Sequence, residues 1–161
     1  MNSTPVARAL DALAIPYRVF QHSGPVNSLE QAARERGQSP DQVIRSIVFR
    51  LAEGEYIMVL MAGATQVSWQ ALRKYLGVSR ITMAKEDELR AVTGYEIGAV
   101  SPFGLPKPMR TLADPSVFAP AEISIGSGVR GTTIIMTTAD LRRALEGVEV
   151  VTLSETSNEV K

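Results

Sequence analysis

The sequence contains no cysteine, and its only histidine is His22, so several kinds of active site are excluded. Without cysteine there is no thiol nucleophile, no disulfide and no thiolate-bound metal. One imidazole is too few for a multi-histidine zinc site, and a Ser–His–Asp triad would have to use His22. We therefore expect neither a metal site nor a cofactor.

The sequence also lacks an excess of charge of either sign and any long apolar run. Lys plus Arg and Asp plus Glu number 17 each. No global positive potential attracts long nucleic acid, so no DNA partner is expected, although a few local basic groups suffice to hold a few phosphates. No apolar run approaches the roughly 20 residues that cross a bilayer, and the N-terminus has no signal-peptide character. We expect no membrane partner and a cytoplasmic location.

The residues that are present predict one α+β domain. The chain has 161 residues, 45% of them hydrophobic, which suits a single core. Two β-rich runs, 43–51 and 55–62, flank a short turn and predict a hairpin. Strands outnumber helices and mostly follow one another, so we expect a mixed, mostly antiparallel, barrel-like sheet with peripheral helices. The domain should span 1–153, and the polar residues 154–161 should form a frayed tail.

Two glycine-rich segments are the candidate functional elements. Gly94–Gly104 contains three glycines, a serine and a proline directly after a helical pattern. It is either a tight connection or a segment whose backbone N–H groups bind an anion or a developing oxyanion. Gly126–Gly131 lies between two predicted strands. It is not a dinucleotide-binding fingerprint, because no helix follows it.

Two side chains outside these segments, those of Arg45 and His22, are further candidate site residues. Arg45 shares a strand face with Ile47 and Phe49, because side chains alternate along a strand. An unpaired buried charge is costly, so Arg45 should either reach solvent at the sheet rim or meet an anion. His22 follows a short strand and precedes a loop. It could line a site, although this position is more typical of a surface or rim histidine.

The pattern Gly94-Tyr95-x-x-Gly98-x-x-Ser101-Pro102-x-Gly104 resembles a motif of the YbaK / prolyl-tRNA synthetase-associated editing domain family. The Thr4-Pro5 start, Pro40-Asp41-Gln42-Val43 and Gly126-Ser127-Gly128-x-x-Gly131 match it in the same order. The resemblance implies a single-domain β-barrel-like fold and hydrolysis of the ester between tRNA and a small wrong amino acid, as on Cys-tRNA(Pro) or Ala-tRNA(Pro). Water or the terminal ribose hydroxyl would do the chemistry. The implied partners are the tRNA acceptor end and an aminoacyl-tRNA synthetase.

The resemblance also assigns roles to residues. Arg45, Gly98 and Gly128 would be catalytic, with backbone donors holding the carbonyl as it becomes tetrahedral. The predicted substrate-binding residues, with His22 added from its loop position, are His22, Ser101, Pro102, Gly104, Gly126, Ser127, Gly131 and Thr133.

Three of these positions depart from the family pattern. Arg45 stands where family members commonly have lysine, Thr133 where many have aspartate, and Gly126 where they have serine. Arginine keeps the charge but cannot readily release a proton. The alternative hypothesis is therefore a weakened or inactive member that binds tRNA ends or a small nucleotide. In a third hypothesis, the glycine turns are only tight connections.

Overall fold

The structure is a computed structural model that describes residues 3–155. Within that range five α-helices are present: α1 Pro5–Ala12, α2 Leu29–Glu35, α3 Trp69–Leu76, α4 Glu86–Thr93 and α5 Thr138–Ala144. The eight strands of the same range are β1 Arg18–Gln21, β2 Ile44–Ala52, β3 Glu55–Ala62, β4 Thr82–Met83, β5 Arg110–Ala113, β6 Glu122–Gly126, β7 Thr132–Thr137 and β8 Glu149–Val150. None of these helices combines the length and apolarity needed to cross a membrane.

The strands form two open sheets. The smaller sheet has the order β1-β7-β6 and the larger one β4-β2-β3-β5-β8. All pairings are antiparallel except β3 with β5 and β5 with β8. The predicted α+β fold with a mostly antiparallel sheet is confirmed, and the predicted hairpin is β2–β3. The sheets do not close into a barrel.

Local sequence explains where the helices begin and end. Side-chain oxygens of Thr4, Ser28 and Ser68 each accept a hydrogen bond from a backbone N–H in the first turn of α1, α2 and α3. Gly94 ends α4 with φ +77°, a conformation that costs glycine little. This residue turns the chain directly into the first glycine segment.

The larger sheet is covered on both faces. Val48, Met58 and Leu60 point into one apolar cluster, which also contains the buried face of α1. Phe49 and Ile57 point into a second cluster against α3. Because neighbouring residues of a strand point to opposite faces, the nearly continuous apolar run of β3 is what a doubly covered strand requires.

A buried carboxylate fastens the end of the described chain. Asp114 is 2% exposed, and its Oδ1 accepts hydrogen bonds from the backbone N–H of Leu153 at 2.8 Å and of Ser154 at 3.0 Å. Burial alone would raise the pKa of Asp114, but these bonds and those from Ser116 outweigh it, so the pKa is lowered. Of the predicted tail, Ser154 also pairs with Val67, and 156–161 lie outside the described residues.

Candidate functional site

A cavity of about 990 Å³ opens between β2, the loop before α2 and the two glycine segments. Its volume lies at the upper end of the range of about 300–1,000 Å³ that is usual for small-molecule sites. The predicted site residues that line it are His22, Arg45, Gly98, Gly126, Gly131 and Thr133. Part of each of the two predicted glycine segments therefore faces the cavity.

The other predicted site residues lie outside the lining of this cavity. Ser101 is fully buried, and its Oγ accepts a hydrogen bond from the N–H of Phe103 at 3.2 Å. Pro102 lines a separate cavity of about 290 Å³ beside the end of α5. Ser127 is also fully buried, with its Oγ 2.7 Å from the carbonyl oxygen of Thr132. These hydroxyls hold the turns in shape.

Tyr95 joins the two glycine segments from behind. It is 4% exposed, and its hydroxyl donates to the carbonyl oxygen of Phe103 at 2.6 Å. A Cβ atom added to Gly104 would lie 2.4 Å from the Tyr95 hydroxyl oxygen, and one added to Gly128 would lie 2.8 Å from Cε1 of the same ring. Gly104 and Gly128 are therefore required by packing against this tyrosine.

The two segments also touch directly. The N–H of Gly128 donates to the carbonyl oxygen of Ala99 at 2.9 Å, so it is not free to bind a substrate. A Cβ atom added to Gly126 would lie 2.2 Å from the carbonyl oxygen of Val100. The segments form one continuous wall in which backbone lies against backbone.

Several peptide groups of this wall remain without an internal acceptor in the described part of the chain, and those of Gly98 and Val100 are two of them. Gly98 and Val100 both line the cavity, and their N–H groups donate to no acceptor within residues 3–155. Gly98 has φ +88°, and nothing lies within 4 Å of a Cβ built on it. Main-chain donors fixed beside a cavity can stabilise an oxyanion without reorganisation.

Arg45 is tied to the turn that follows β3. Its Nε donates to the carbonyl oxygen of Gly63 at 2.6 Å, and its Nη2 donates to that of Thr65. Burial lowers the pKa of this guanidinium. The sequence predicted that Arg45 would either reach solvent or meet an anion. In the structure, two neutral carbonyl groups accept hydrogen bonds from its guanidinium instead.

Thr133 is committed to the sheet. Its side chain is nearly buried, and its Oγ1 donates to the carbonyl oxygen of Ile125 at 2.9 Å. The residue lines the cavity, but its hydroxyl proton already has an acceptor in β6. Thr133 therefore contributes to the shape of the wall and does not offer its hydroxyl proton to a ligand.

His22 is not a surface histidine, because its side chain is only 2% exposed. Nδ1 lies 2.6 Å from a carboxylate oxygen of Glu35, and Nε2 lies 3.1 Å from Nε of Arg36. Because Arg36 can only donate, Nε2 must be the acceptor, and the ring proton sits on Nδ1. Hydrogen bonds from Gln31 and then His22 lower the pKa of Glu35. Both imidazole nitrogens are thus hydrogen-bonded within the protein.

Arg36 and Ser46 are among the lining residues that were not predicted as site residues. Arg36 gave no signal, because a basic residue at the end of a helix is ordinary. Ser46 could have been found, since alternation along β2 places it on the same face as Ile44 and Val48. Its Oγ is buried and has no partner within the described range. Residues 3–155 contain no cluster of three His, Asp or Glu that could hold a metal ion.

The chain is similar to several known proteins. The family model for the aminoacyl-tRNA editing domain matches residues 23–144. The proline–tRNA ligase of Brachyspira hyodysenteriae is 29% identical over 113 residues, covering 70% of this chain but only 20% of the ligase. The chain thus spans about a fifth of the length of that relative.

Two further relatives match the chain over most of their own length. The multifunctional Ser/Thr-tRNA deacylase ProXp-y of Escherichia coli K12 is 26% identical over 131 residues, covering 79% of this chain and 78% of the deacylase. The crystal structure of a candidate trans-editing enzyme for prolyl-tRNA synthetase superposes with a TM-score of 0.86 at 24% identity, covering 94% of this chain and 96% of the other. This last likeness establishes a shared fold.

Proposed function

The chain belongs to the aminoacyl-tRNA editing domain family, and on that premise we propose that it hydrolyses the ester of a small, wrongly attached amino acid on tRNA, acting in trans. One observation supports this above all others. The free N–H groups of Gly98 and Val100 lie beside a cavity large enough for a terminal nucleoside and its aminoacyl group. We infer that they bind the ester oxygen as it becomes an oxyanion.

The proposed reaction needs no side-chain nucleophile. A water molecule hydrogen-bonded to the terminal ribose hydroxyl attacks the ester carbon, and the carbonyl oxygen takes the negative charge between the two N–H groups. The hydroxyl accepts the water proton as it passes its own proton toward the leaving ribose oxygen. Collapse of this intermediate expels the ribose oxygen, which takes up a proton. His22 does not serve as the base, because Arg36 already occupies its Nε2 lone pair. The protein supplies position and electrostatic stabilisation.

The substrate class follows from what a synthetase cannot reject. One methylene group in an apolar pocket is worth about 1–3 kcal/mol, which is too little for accurate selection of small amino acids. The relatives named for Ser/Thr-tRNA deacylation and for prolyl-tRNA synthesis point to the same class. The proposed partner is therefore the acceptor end of a misacylated tRNA delivered by a synthetase, in the compartment where tRNA is charged.

Purified protein tested on tRNAs charged with Cys, Ala, Ser or Thr should release the amino acid from at least one of them. Prolyl-tRNA(Pro) should remain intact. The panel is read as the rate of ester loss above the uncatalysed rate. Absence of turnover on every member would refute the deacylase proposal.

The hydrogen bonds that hold Arg45 favour a second candidate function, that of a module that binds tRNA ends without hydrolysing the ester. Two of its guanidinium nitrogens are held by Gly63 and Thr65, so less of the group is available to a substrate than a mobile lysine would offer. An Arg45→Lys variant separates the two functions. It should accelerate a weak deacylase, whereas a protein that only binds remains inactive with lysine at this position.

A further inference from the structure

We propose that Arg36 is an anion-binding residue of the cavity, and that it holds the phosphodiester preceding the terminal nucleotide of the bound RNA. This assignment rests on the proposed function for the identity of the ligand. The geometry that assigns the residue is independent of it.

Arg36 lines the cavity and forms no direct ion pair with a carboxylate of residues 3–155, although the neighbouring carboxylate of Glu35 attracts its charge. Its Nε donates to His22 and its Nη1 donates to Oγ of Ser124 at 2.8 Å, and both acceptors are neutral. Nη2 donates to no described residue. Burial lowers the pKa of this guanidinium, because removing the charged form from water costs free energy. An anion in the cavity would offset that cost.

The side chain is fixed in this position from both sides. Glu35 accepts from Nδ1 of His22, which sets the tautomer and turns the Nε2 lone pair toward Arg36. Ser124 is fully buried in β6 and holds the other edge of the guanidinium. His22 is thus a positioning residue. Such preorganisation lowers the entropy cost of each bond that the guanidinium makes to a ligand.

The chemistry of the substrate selects the anion. In an aminoacylated RNA the amino acid carboxyl is esterified, so the aminoacyl group carries only a positive ammonium. Phosphodiesters are then the only negative groups near the 3′ end. The Nη2 and the remaining Nη1 hydrogens can bind two phosphate oxygens side by side. The same charge, together with that of Arg45, repels the substrate ammonium.

The test measures binding and needs no hydrolysis. The probes are the labelled trinucleotide CCA, which is the common 3′ end of tRNA, and the same trinucleotide with a neutral methylphosphonate in place of its last phosphodiester. Wild-type protein should prefer the charged probe. Arg36→Gln should weaken CCA binding roughly tenfold or more, leave the methylphosphonate probe unchanged, and reduce the salt-dependence slope by about 0.7.

Arg34→Gln is the matched control, since Arg34 is exposed in the last turn of the same helix and does not line the cavity. It should bind both probes as the wild type does. His22→Ala keeps the charge of Arg36 but frees its side chain, so it should lose part of the preference for CCA. If Arg36→Gln fails to fold, Arg36→Lys, which keeps the charge and loses the fork, takes its place and should also lose part of the preference.

Equal weakening of both probes by the Arg36 variants, unchanged binding of both, or no binding of CCA to wild-type protein would overturn the assignment. A protein that discriminates the probes through Arg36 but hydrolyses no aminoacyl-tRNA would refute only the deacylase proposal. One that hydrolyses the ester without this discrimination would refute only the assignment of Arg36.

Discussion

Gly98 and Gly126 lie in the same wall of the cavity, yet glycine is required at each position for a different reason. At Gly126 a side chain has no space, because the backbone of Val100 passes 2.2 Å from where its Cβ would be. At Gly98 there is ample space, and it is φ +88° that disfavours any other residue. Gly126 is required by packing, whereas Gly98 lines the cavity and its N–H has no acceptor within residues 3–155. One glycine motif can thus combine residues required by packing with residues required by backbone conformation.

The largest expected effect on stability is that of Gly126→Ala. The added methyl group collides with main-chain atoms that cannot move without separating the two segments, so we expect a loss of about 3 kcal/mol or more, or no folded protein. Urea unfolding measures this loss. The control is Gly24→Ala, because Gly24 also lines the cavity but has an ordinary φ and open space around it. A Gly126→Ala protein as stable as this control would remove the distinction drawn here.

Asp114→Asn tests the packed part of the molecule away from the cavity. The amide loses the charge that accepts two backbone N–H bonds, so we expect a loss of about 1–3 kcal/mol at pH 7. Because the pKa of Asp114 is lower in the folded state, its contribution is present above about pH 4 and lost as the pH falls through the folded pKa. The difference between wild type and variant should therefore shrink between pH 7 and pH 3 in urea titrations. A constant difference would contradict this assignment.

Gly98→Ala should cost stability modestly and function more. The positive φ strains a non-glycine residue by about 1–2 kcal/mol, and the new methyl group projects into open space beside the cavity. Gly54→Ala carries the same strain at φ +77° in the β2–β3 turn, where nothing lies near its Cβ position. Both variants should lose similar stability in urea. Only Gly98→Ala should weaken CCA binding, and equal binding by the two would place Gly98 outside the site.

The smallest effect on stability is expected for Ser46→Ala. Its buried Oγ has no partner in the described part of the chain, so its removal should change the free energy of unfolding by less than about 0.5 kcal/mol or increase it. Ser101→Ala is the counterpart in the packed wall, where loss of the bond to Phe103 should cost about 1 kcal/mol. A larger loss for Ser46→Ala than for Ser101→Ala would reverse the comparison.

Local features of the fold could be predicted from sequence, because their causes lie within a few residues. Ser28 accepts a hydrogen bond from a residue three positions later, and the β2–β3 hairpin depends on two adjacent runs and one short turn. Gly94 ends its helix for a reason that is visible in the amino acid itself. The direct contact between the two glycine segments was not predicted, because its partners lie far apart in the chain.

Features of the site that depend on distant partners could not be predicted. Arg36 enters the cavity because Ser124, 88 residues later, accepts its hydrogen bond. The N–H of Gly128 is taken by Ala99, a contact set by how two separate segments pack. For Arg45 the strand was predicted correctly. Its acceptors, however, come from the turn that follows β3, about 20 residues later in the chain. Residue type alone carries none of this information.

The carboxylate of Asp114 has a consequence for the order in which the domain is made. Its backbone donors at Leu153 and Ser154 leave the ribosome about forty residues after it does, and β8 joins the edge of the larger sheet just before them. A nascent chain interrupted earlier would have to bury this carboxylate without those donors. Most of the domain is therefore synthesised before these contacts can form, and the domain can complete its folding only once residue 154 has emerged.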